Sequence, residues 1–268
     1  MEGSTVRHFA TEFAPRFYEL NARRQAGPVV LLHYLEEAAV SHSGAAGCSL
    51  QELEGRGVGW VLNRWYIVVE RYPVWDEKVS VETWPAAFDR FYATREFIVR
   101  GRDNTRMARA TSRWIYLSVE KKRPLRIPEG FARAYGLDPE RAVEHDFAAL
   151  PVRQGEWNLT TSGKRIFAVR RSDLDGYHHV NNAQYVQWLL ESVPEQTYDL
   201  AELQSLEIEY RKEVGYGGRV RVDTLALEPG AEGASALPEG GQAYLHSIED
   251  ADTLRELAVA RTIWKRQE

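Results

Sequence analysis

Residues 173–185 read DLDGYHHVNNAQY, and this stretch decides how the second half of the chain is interpreted. Acids, two adjacent histidines and two adjacent asparagines come directly before a segment with helical periodicity. Its apolar residues recur at spacings of three and four positions: Ala183, Val186, Leu190 and Val193. The pattern predicts a helix over 182–193, which begins just after the polar cluster and ends before Pro194.

The start of this helix is the candidate site. Asn181 or Asn182 is a good cap, because an amide side-chain oxygen accepts N–H groups that the first helical turn leaves unpaired. The same N–H groups and the positive end of the helix dipole favour negative charge. Asp175 and His179 are expected just outside that end. The arrangement predicts hydrolytic chemistry on an acyl group whose carbonyl is polarised by the helix start.

Length and composition limit the classes of protein. The chain has 268 residues, of which 44% are hydrophobic and 27% charged, which is typical of a globular protein. The formal net charge of −5 argues against a nucleic-acid partner. The one cysteine, Cys48, argues against a disulfide framework and fits a reducing compartment. Residues 1–20 lack a signal-peptide core and no apolar run has membrane-spanning length, so we expect a cytoplasmic protein without a membrane span.

The chain is interpreted as a diverged tandem repeat. A helix over Val29–Ala46 precedes four strand-like runs, and the helix over 182–193 precedes four more. The predicted strands are Trp60–Glu70, Lys78–Trp84, Phe91–Arg100 and Met107–Val119, then Ser205–Glu213, Arg219–Leu227, Gln242–Ser247 and Leu257–Trp264. Residues 110–114 resemble residues 260–264 at an offset of 150 residues, and the order of such matches indicates a duplication.

This order predicts an α+β fold. One helix followed by antiparallel strands can be buried against a strongly curved sheet, and pairing two such sheets side by side removes two exposed edges. The predicted architecture is a tandem (double) hotdog, two helix-wrapped antiparallel sheets. The predicted domains are an N-terminal hotdog over 1–125, a proline-containing linker over 126–163 and a C-terminal hotdog over 164–268.

The chain resembles the acyl-ACP thioesterases of plants and bacteria, which release fatty acids from acyl carrier protein. The resemblance extends from Phe17 to Trp264. In the first half it is carried by ERYPVWD at Glu70–Asp76 and by ATSRW at Ala110–Trp114. In the second half it is carried by residues 173–182 and by LEIEYRKE at Leu206–Glu213. Several motifs in one order over the whole length make this resemblance specific.

The resemblance implies catalytic roles for three residues: Asp175, His179 and Glu213. Tyr177, Asn181 and Asn182 are candidate supporting residues. Two positions depart from the family pattern: Tyr177 stands where an asparagine is common, and Val214 stands where a cysteine often follows the glutamate. Because Val214 has no thiol and Cys48 lies in the other half, a water-based mechanism is expected.

The chemistry expected of these residues has alternatives. His179 is suited to act as a general base and Glu213 to orient its ring, while Asp175 either positions the water or is itself the base. Without the resemblance, a turn cap is the simpler role for Asp175, and Glu213 reads as an exposed strand residue. Of the two adjacent histidines, His178 is assigned the structural role.

The two halves are expected to divide the work. At the offset of 150 residues, Asp175 corresponds to Gln25 and His179 to Val29, so the first half lacks the acid and the histidine. An apolar gap between the first helix and its sheet is the expected site of the fatty acyl chain. No metal-ligand or nucleotide motif is present, so neither a cofactor nor a metal is expected.

The leading hypothesis is therefore a thiolester hydrolase of fatty-acid biosynthesis that cleaves long- or medium-chain acyl-ACP. The alternatives are an acyl-CoA thioesterase and a non-catalytic acyl-binding hotdog protein. The expected partners are acyl carrier protein and the acyl chain, and a homodimer is expected from related hotdog proteins. Two basic groups are candidate docking patches for the acidic carrier: Lys121, Lys122, Arg123 and Arg126, or Lys164, Arg165, Arg170 and Arg171.

Overall fold

The chain divides into two compact units, Met1–Asp146 and Phe147–Glu268. The computed structural model describes residues 7–150, 161–227 and 240–267 of these units. The first unit thus takes up the N-terminal part of the predicted linker, where Phe131 lies buried in a hydrophobic cluster. Within the described ranges, the helices are all too short or too polar to cross a bilayer.

The first unit consists of one long helix and an antiparallel sheet. Its helices are α1 (Pro28–Ala45), α2 (Leu50–Gly55) and α3 (Gly130–Ala134). Its strands are β1 (Phe9–Phe13), β2 (Val58–Val69), β3 (Val79–Asp89), β4 (Tyr92–Gly101), β5 (Arg106–Ser118) and β6 (Arg123–Pro124). The sheet order is β1-β3-β4-β5-β2, and β6 pairs with β5.

The second unit repeats this plan. Its helices are α4 (Asn182–Glu191) and α5 (Glu195–Leu200). Its strands are β7 (Thr161–Ala168), β8 (Ala201–Tyr210), β9 (Arg219–Leu227), β10 (Gln242–Asp250) and β11 (Glu256–Arg266). The order β7-β9-β10-β11-β8 matches that of the first unit strand for strand. The predicted α+β class and tandem hotdog fold are confirmed.

Each long helix buries one face against its own sheet. In α1, Leu31, Leu35 and Ala38 are at most 1% exposed, and the helix packs on β3. In α4, Ala183 and Val186 are equally buried, and the helix contacts β9 and β10. Burial of a side chain such as Leu35 or Val186 contributes about 1.5–3 kcal/mol to folding, so these faces hold the helices on their sheets.

The edge strands β1 and β7 were not predicted. β7 begins in the last three residues of the predicted linker and continues into the predicted C-terminal hotdog, and its place depends on pairing with β9. Gly163 is required there, because a Cβ at this position would lie 2.1 Å from the carbonyl oxygen of Ser192 at the end of α4. Such close approach of strand and helix is a tertiary feature that a local sequence pattern does not reveal.

Candidate active site

The polar segment ahead of α4 folds into a loop that begins with one 3-10 turn, Arg171–Asp173. The buried carboxylate of Asp173 accepts the Arg170 backbone N–H and the Arg170 guanidinium, each at 2.8 Å. Its carbonyl oxygen accepts the N–H of Asn181. Asp173 therefore closes the turn and ties it to the start of the helix, which is a structural role.

Asp175 organises the next part of the loop through one oxygen. Its Oδ1 accepts the backbone N–H of Tyr177 at 2.8 Å and that of His179 at 3.2 Å. Its own N–H donates to the His179 carbonyl at 2.8 Å. His178 takes a positive φ of 63° at the tip of this turn. Oδ1 of Asp175 thus caps the turn, as the simpler role predicts. Oδ2 accepts no hydrogen bond from a donor in the described residues.

His179 and Glu213 meet at the side-chain level. The distance between His179 Nε2 and Glu213 Oε2 is 3.2 Å, within ion-pair and hydrogen-bond range. Both side chains are about half exposed, at 43% and 51%, so water reaches the pair. A carboxylate at this distance can fix the ring orientation of the imidazole.

One backbone hydrogen bond and one tyrosine side chain bring this pair together. The N–H of Val180, next to His179, donates to the carbonyl of Val214, next to Glu213, at 3.3 Å. From α4, the buried Tyr185 hydroxyl donates to the Lys212 carbonyl at 3.4 Å and accepts the N–H of Val214. One side chain of the helix thus holds the peptide groups on both sides of Glu213. Sequence reasoning missed Tyr185, because its apolar surroundings make it look like an ordinary core residue.

The two asparagines have different functions. Asn181 is the helix cap, and its Oδ1 accepts the N–H of Ala183 at 2.8 Å. Asn182 is the first helical residue, and its carbonyl accepts the Tyr210 hydroxyl at 3.0 Å. Tyr177 is 49% exposed at the loop surface.

Most backbone donors at the helix entry are already engaged. The N–H groups of Val180, Asn181 and Ala183 donate to Val214, Asp173 and Asn181 respectively. Among the described residues, no acceptor is assigned to the N–H of Asn182. This donor is therefore available to a bound molecule at the positive end of the α4 dipole.

A thiol is not part of this constellation. The residue after Glu213 is Val214, which is buried. Cys48 belongs to the first unit and is buried, and burial raises the pKa of its thiol. A raised pKa lowers the fraction of reactive thiolate.

The first unit contains a second copy of the loop. Residues 16–28 contain a 3-10 turn at Phe17–Glu19, and Arg24 has a positive φ of 61°, as His178 does in the second unit. Asn21 Oδ1 accepts the N–H groups of Arg23 at 2.9 Å and Gln25 at 3.1 Å, as Asp175 does in the second unit. The positions correspond one to one: Asn21 with Asp175, Arg23 with Tyr177, Arg24 with His178, and Gln25 with His179.

This correspondence corrects the alignment of the two halves. The offset in the loop is 154 residues, so the expected partners Gln25 for Asp175 and Val29 for His179 were wrong. Glu213 corresponds to the buried Tyr72, since Ala26 N–H donates to Pro73 as Val180 N–H donates to Val214. The conclusion that the first half lacks the acid and the histidine is unchanged.

A cluster of ligand-type side chains lies elsewhere, in the first unit. His8, Asp138 and Glu140 each place one potential ligand atom within 4.8 Å of the others. The His8 ring contacts Glu82 Oε1 at 2.8 Å and Asp138 Oδ2 at 3.4 Å, and it stacks on Trp84. These contacts account for the cluster as a histidine held by hydrogen bonding and stacking.

Comparison with known proteins identifies the family of this chain. Residues 6–135 match the acyl-ACP thioesterase N-terminal domain, and residues 158–266 match the acyl-ACP thioesterase C-terminal domain. An acyl-[acyl-carrier-protein] hydrolase of Cuphea viscosissima is 30% identical over 267 residues, which cover 96% of this chain and 62% of the relative. A palmitoyl-acyl carrier protein thioesterase of Gossypium hirsutum is 29% identical, with 96% of this chain and 63% of the relative covered. The chain therefore spans less than two thirds of these relatives.

Solved structures share the fold. The 12:0-ACP thioesterase of Umbellularia californica superposes with a TM-score of 0.83 at 26% identity, covering 99% of this chain and 96% of that one. An acyl-ACP thioesterase of Bacteroides thetaiotaomicron superposes with a TM-score of 0.76 at 20% identity, covering 97% and 98%. Two domain matches in the same order, over most of the sequence, place the chain: it belongs to the acyl-ACP thioesterase family.

Proposed function

We propose that this protein hydrolyses the thioester of medium- or long-chain acyl-ACP and releases free fatty acid. The observation that carries the proposal is the His179–Glu213 pair beside Asp175 at the entry of α4. Family membership names the reaction class, and the pair supplies a base with an orienting carboxylate. The plant relatives are chloroplast proteins by name, whereas the single buried cysteine of this chain fits the cytoplasm that we propose for it.

In the proposed reaction, His179 removes a proton from a water molecule as the water oxygen attacks the thioester carbonyl. Glu213 holds the imidazole and stabilises the imidazolium that forms. The second carboxylate oxygen of Asp175 accepts a hydrogen bond from the same water and aims it at the carbonyl carbon. Asn181 and Asn182 support the site through the start of α4, and Tyr177 lies at its exposed edge.

The negative charge that develops on the carbonyl oxygen requires a donor. The N–H of Asn182 is the donor that the loop leaves unengaged, and one such donor contributes about 3 kcal/mol to the transition state. When the carbon–sulfur bond breaks, the imidazolium returns its proton to the departing thiolate. The products are the carrier with a free thiol and the fatty acid, so atoms and charge balance.

We further propose that the acyl chain is held by the first unit. In support, an open cleft of about 720 Å³ lies there, and Phe88, Phe91, Ile127 and Ala132 form its apolar part. Charged side chains complete its lining: Asp89, Arg90, Arg126 and Glu129. This volume falls in the usual range of ligand pockets, about 300–1,000 Å³. The space between α1 and β3 is instead filled by buried side chains. A homodimer is also proposed, by analogy with hotdog proteins.

The test is hydrolysis of matched substrates by the purified protein. We expect turnover of acyl-ACP that exceeds turnover of the same acyl-CoA, and loss of both with His179→Gln. Preference for acyl-CoA would identify an acyl-CoA thioesterase. Binding of acyl-ACP without turnover would identify a non-catalytic acyl-binding protein.

A further inference from the structure

Three cationic side chains surround the segment that carries Glu213. Lys212 directly precedes it, and the Arg255 guanidinium donates to the Glu213 carbonyl at 3.4 Å. The Arg171 guanidinium lies over the ring of Tyr216, 4.6 Å from its centroid. All three residues are exposed. We name these three residues the cationic rim.

The charges of the rim are not neutralised by ion pairs. In the described part of the chain, no carboxylate lies within ion-pair distance of Arg171, Lys212 or Arg255. Three neighbouring acids are engaged elsewhere: Asp252 with Arg219 at 3.1 Å, Glu256 with Arg211, and Glu213 with His179. A fourth, Asp250, accepts the backbone N–H groups of Asp252 and Thr253, and it lies beyond ion-pair distance of Arg255 although the guanidinium helps to lower the pKa of its carboxyl. By contrast Arg170, from the same predicted patch, is paired with Asp173. The rim therefore presents excess positive charge beside the catalytic pair.

The first unit serves as an internal control for these positions. Phe17 begins the 3-10 turn there as Arg171 does in the second unit. The N–H of Arg71 donates to Met107 as that of Lys212 donates to Leu257, and Thr105 occupies the turn position of Arg255. Phe17 and Thr105 are uncharged, and Arg71 is paired with Glu77 at 2.8 Å.

The aromatic partner differs as well. Trp75 stands in the place of Tyr216, and it contacts Phe17 edge-on at 6.5 Å instead of supporting a cation. The second unit, which contains His179 and Glu213, thus has three cations without an ion pair at these positions. The first unit, which lacks both residues, has no such cation at the three equivalent positions. The fold does not explain this difference, because the equivalent segments of the two units make the same backbone hydrogen bonds.

We propose that the cationic rim docks the acidic surface of the acyl carrier protein, an inference that rests on the proposed function. Unpaired arginine and lysine side chains attract a negatively charged protein and orient it before contact. Docking here would direct the thioester at the end of the carrier's arm toward His179. The rim adds affinity for the carrier and takes no part in bond making.

The experiment removes two rim charges with Arg171→Gln and Arg255→Gln in one variant. Lys212 is left unchanged because its carbonyl accepts the Tyr185 hydroxyl. The matched control is Lys265→Gln with Arg266→Gln, which removes two exposed charges about 30 Å from Arg255 along β11. Each protein is assayed with acyl-ACP, acyl-CoA and an acyl N-acetylcysteamine thioester of the same chain length. Binding of acyl-free carrier protein is measured separately, and melting curves verify folding.

For the rim variant we expect a KM for acyl-ACP about tenfold higher at low salt, with kcat within twofold. Its KM should depend less on salt than that of the wild type, and the two carrier-free substrates and the control variant should be unaffected. An equal loss with the N-acetylcysteamine thioester overturns the inference, because the rim would then act on the chemistry. An equal loss with acyl-CoA overturns it in favour of phosphate binding.

Carrier binding separates this inference from the proposed function. If the wild type hydrolyses no thioester, the proposed function fails, yet weaker binding of the carrier by the rim variant still supports the rim. If both proteins bind the carrier equally well, the rim is not its docking surface, whatever the protein hydrolyses. Should the double variant fail to fold, the two single variants provide the same comparison.

Discussion

The loop at residues 170–182 and its counterpart at residues 16–28 have the same backbone and different chemistry. Each begins with a 3-10 turn, and each is organised by a single side-chain oxygen that accepts two backbone N–H groups. That oxygen belongs to Asp175 in one loop and to Asn21 in the other. The ionisable pair His179–Glu213 is replaced by Gln25 and Tyr72.

The comparison separates structural from chemical requirements. An amide oxygen holds the loop at Asn21 as well as a carboxylate oxygen does at Asp175, so the negative charge of Asp175 is not needed for the fold. The same holds for the ring of His179, because Gln25 occupies the equivalent backbone position. Substitutions that exchange residues between the two loops should therefore change activity while leaving stability almost intact.

The largest effect is expected when the histidine is replaced by its counterpart. His179→Gln should lower kcat/KM by about 10³-fold, since a positioned general base contributes roughly 10²–10⁴-fold. The melting temperature should stay close to that of the wild type. Steady-state hydrolysis of acyl-ACP measures kcat/KM, and thermal melting measures the melting temperature. Gln25→His is the matched control, and its activity should equal that of the wild type. Wild-type turnover by a folded His179→Gln protein would exclude His179 as the base.

A somewhat smaller loss is expected for Asp175→Asn. The new amide oxygen can accept the N–H groups of Tyr177 and His179, as Asn21 does in its own loop, but the second carboxylate oxygen is lost. We expect kcat to fall by about 10²-fold, within the range of general-base effects, with unchanged stability. Asp175→Ala should lose stability in addition, because two backbone donors lose their acceptor. Full activity of Asp175→Asn would leave Asp175 with the turn-capping role alone.

Removal of the hydroxyl that holds the Glu213 segment should have a moderate effect. Tyr185→Phe leaves the ring in place but frees the peptide groups on both sides of Glu213. In the first unit, Leu31 occupies the position of Tyr185 and has no hydroxyl. We expect kcat to fall about tenfold and KM to change little, with a stability loss of about 1 kcal/mol. Tyr244→Phe, which removes another buried hydroxyl, should cost similar stability without loss of kcat. Equal kcat values for the two variants would contradict a positioning role for Tyr185.

The smallest effect concerns the two sheets. His246 is fully buried between Thr224 and Thr262, and burial lowers the pKa of its imidazole to about 3. Its counterpart in the first sheet is Phe97, which pairs with Ala110 as His246 pairs with Ala260, and Phe97 does not titrate. The unfolded chain has an ordinary histidine pKa of about 6.5, so between pH 6.5 and 3 it binds a proton that the folded chain does not. Stability should therefore fall as the pH is lowered through this window.

His246→Gln removes this titration. Its unfolding free energy should depend less steeply on pH than that of the wild type, by up to about 1.4 kcal/mol per pH unit between pH 6 and 4. Denaturant unfolding across that range measures the slope, and replacement of the exposed His33 by Gln serves as the control. An unchanged slope in His246→Gln would show that His246 is not the group responsible.

The sequence predicted the elements with strong local patterns. The helical spacing from Ala183 onward and the capping asparagine gave the start of α4 correctly, and eight predicted runs correspond to strands β2–β5 and β8–β11. The last turn of the predicted helix was wrong, since α4 ends at Glu191 and α5 begins at Glu195. The strands β1 and β7 were missed, because an edge strand is fixed by its one neighbour more than by its own residues.

The alignment of the two halves shows a further limit of sequence reasoning. The offset is 150 residues between β5 and β11, 154 in the loops and 141 from Tyr72 to Glu213. Segments of different length connect the equivalent parts, so one offset cannot describe the whole repeat. Only the matched hydrogen bonds show that Gln25, and not Val29, takes the place of His179.

The sequence by itself determined the tandem fold, the family and the residue types at the helix entry, because periodicity, capping and composition act over a few neighbouring positions. Tertiary structure alone decided that Glu213 reaches His179, that Tyr185 holds the Glu213 segment, and that Arg171, Lys212 and Arg255 remain unpaired. These outcomes depend on contacts between residues far apart in the chain. Such contacts form when sheet and helix pack together, and a pattern of neighbouring residues does not predict them.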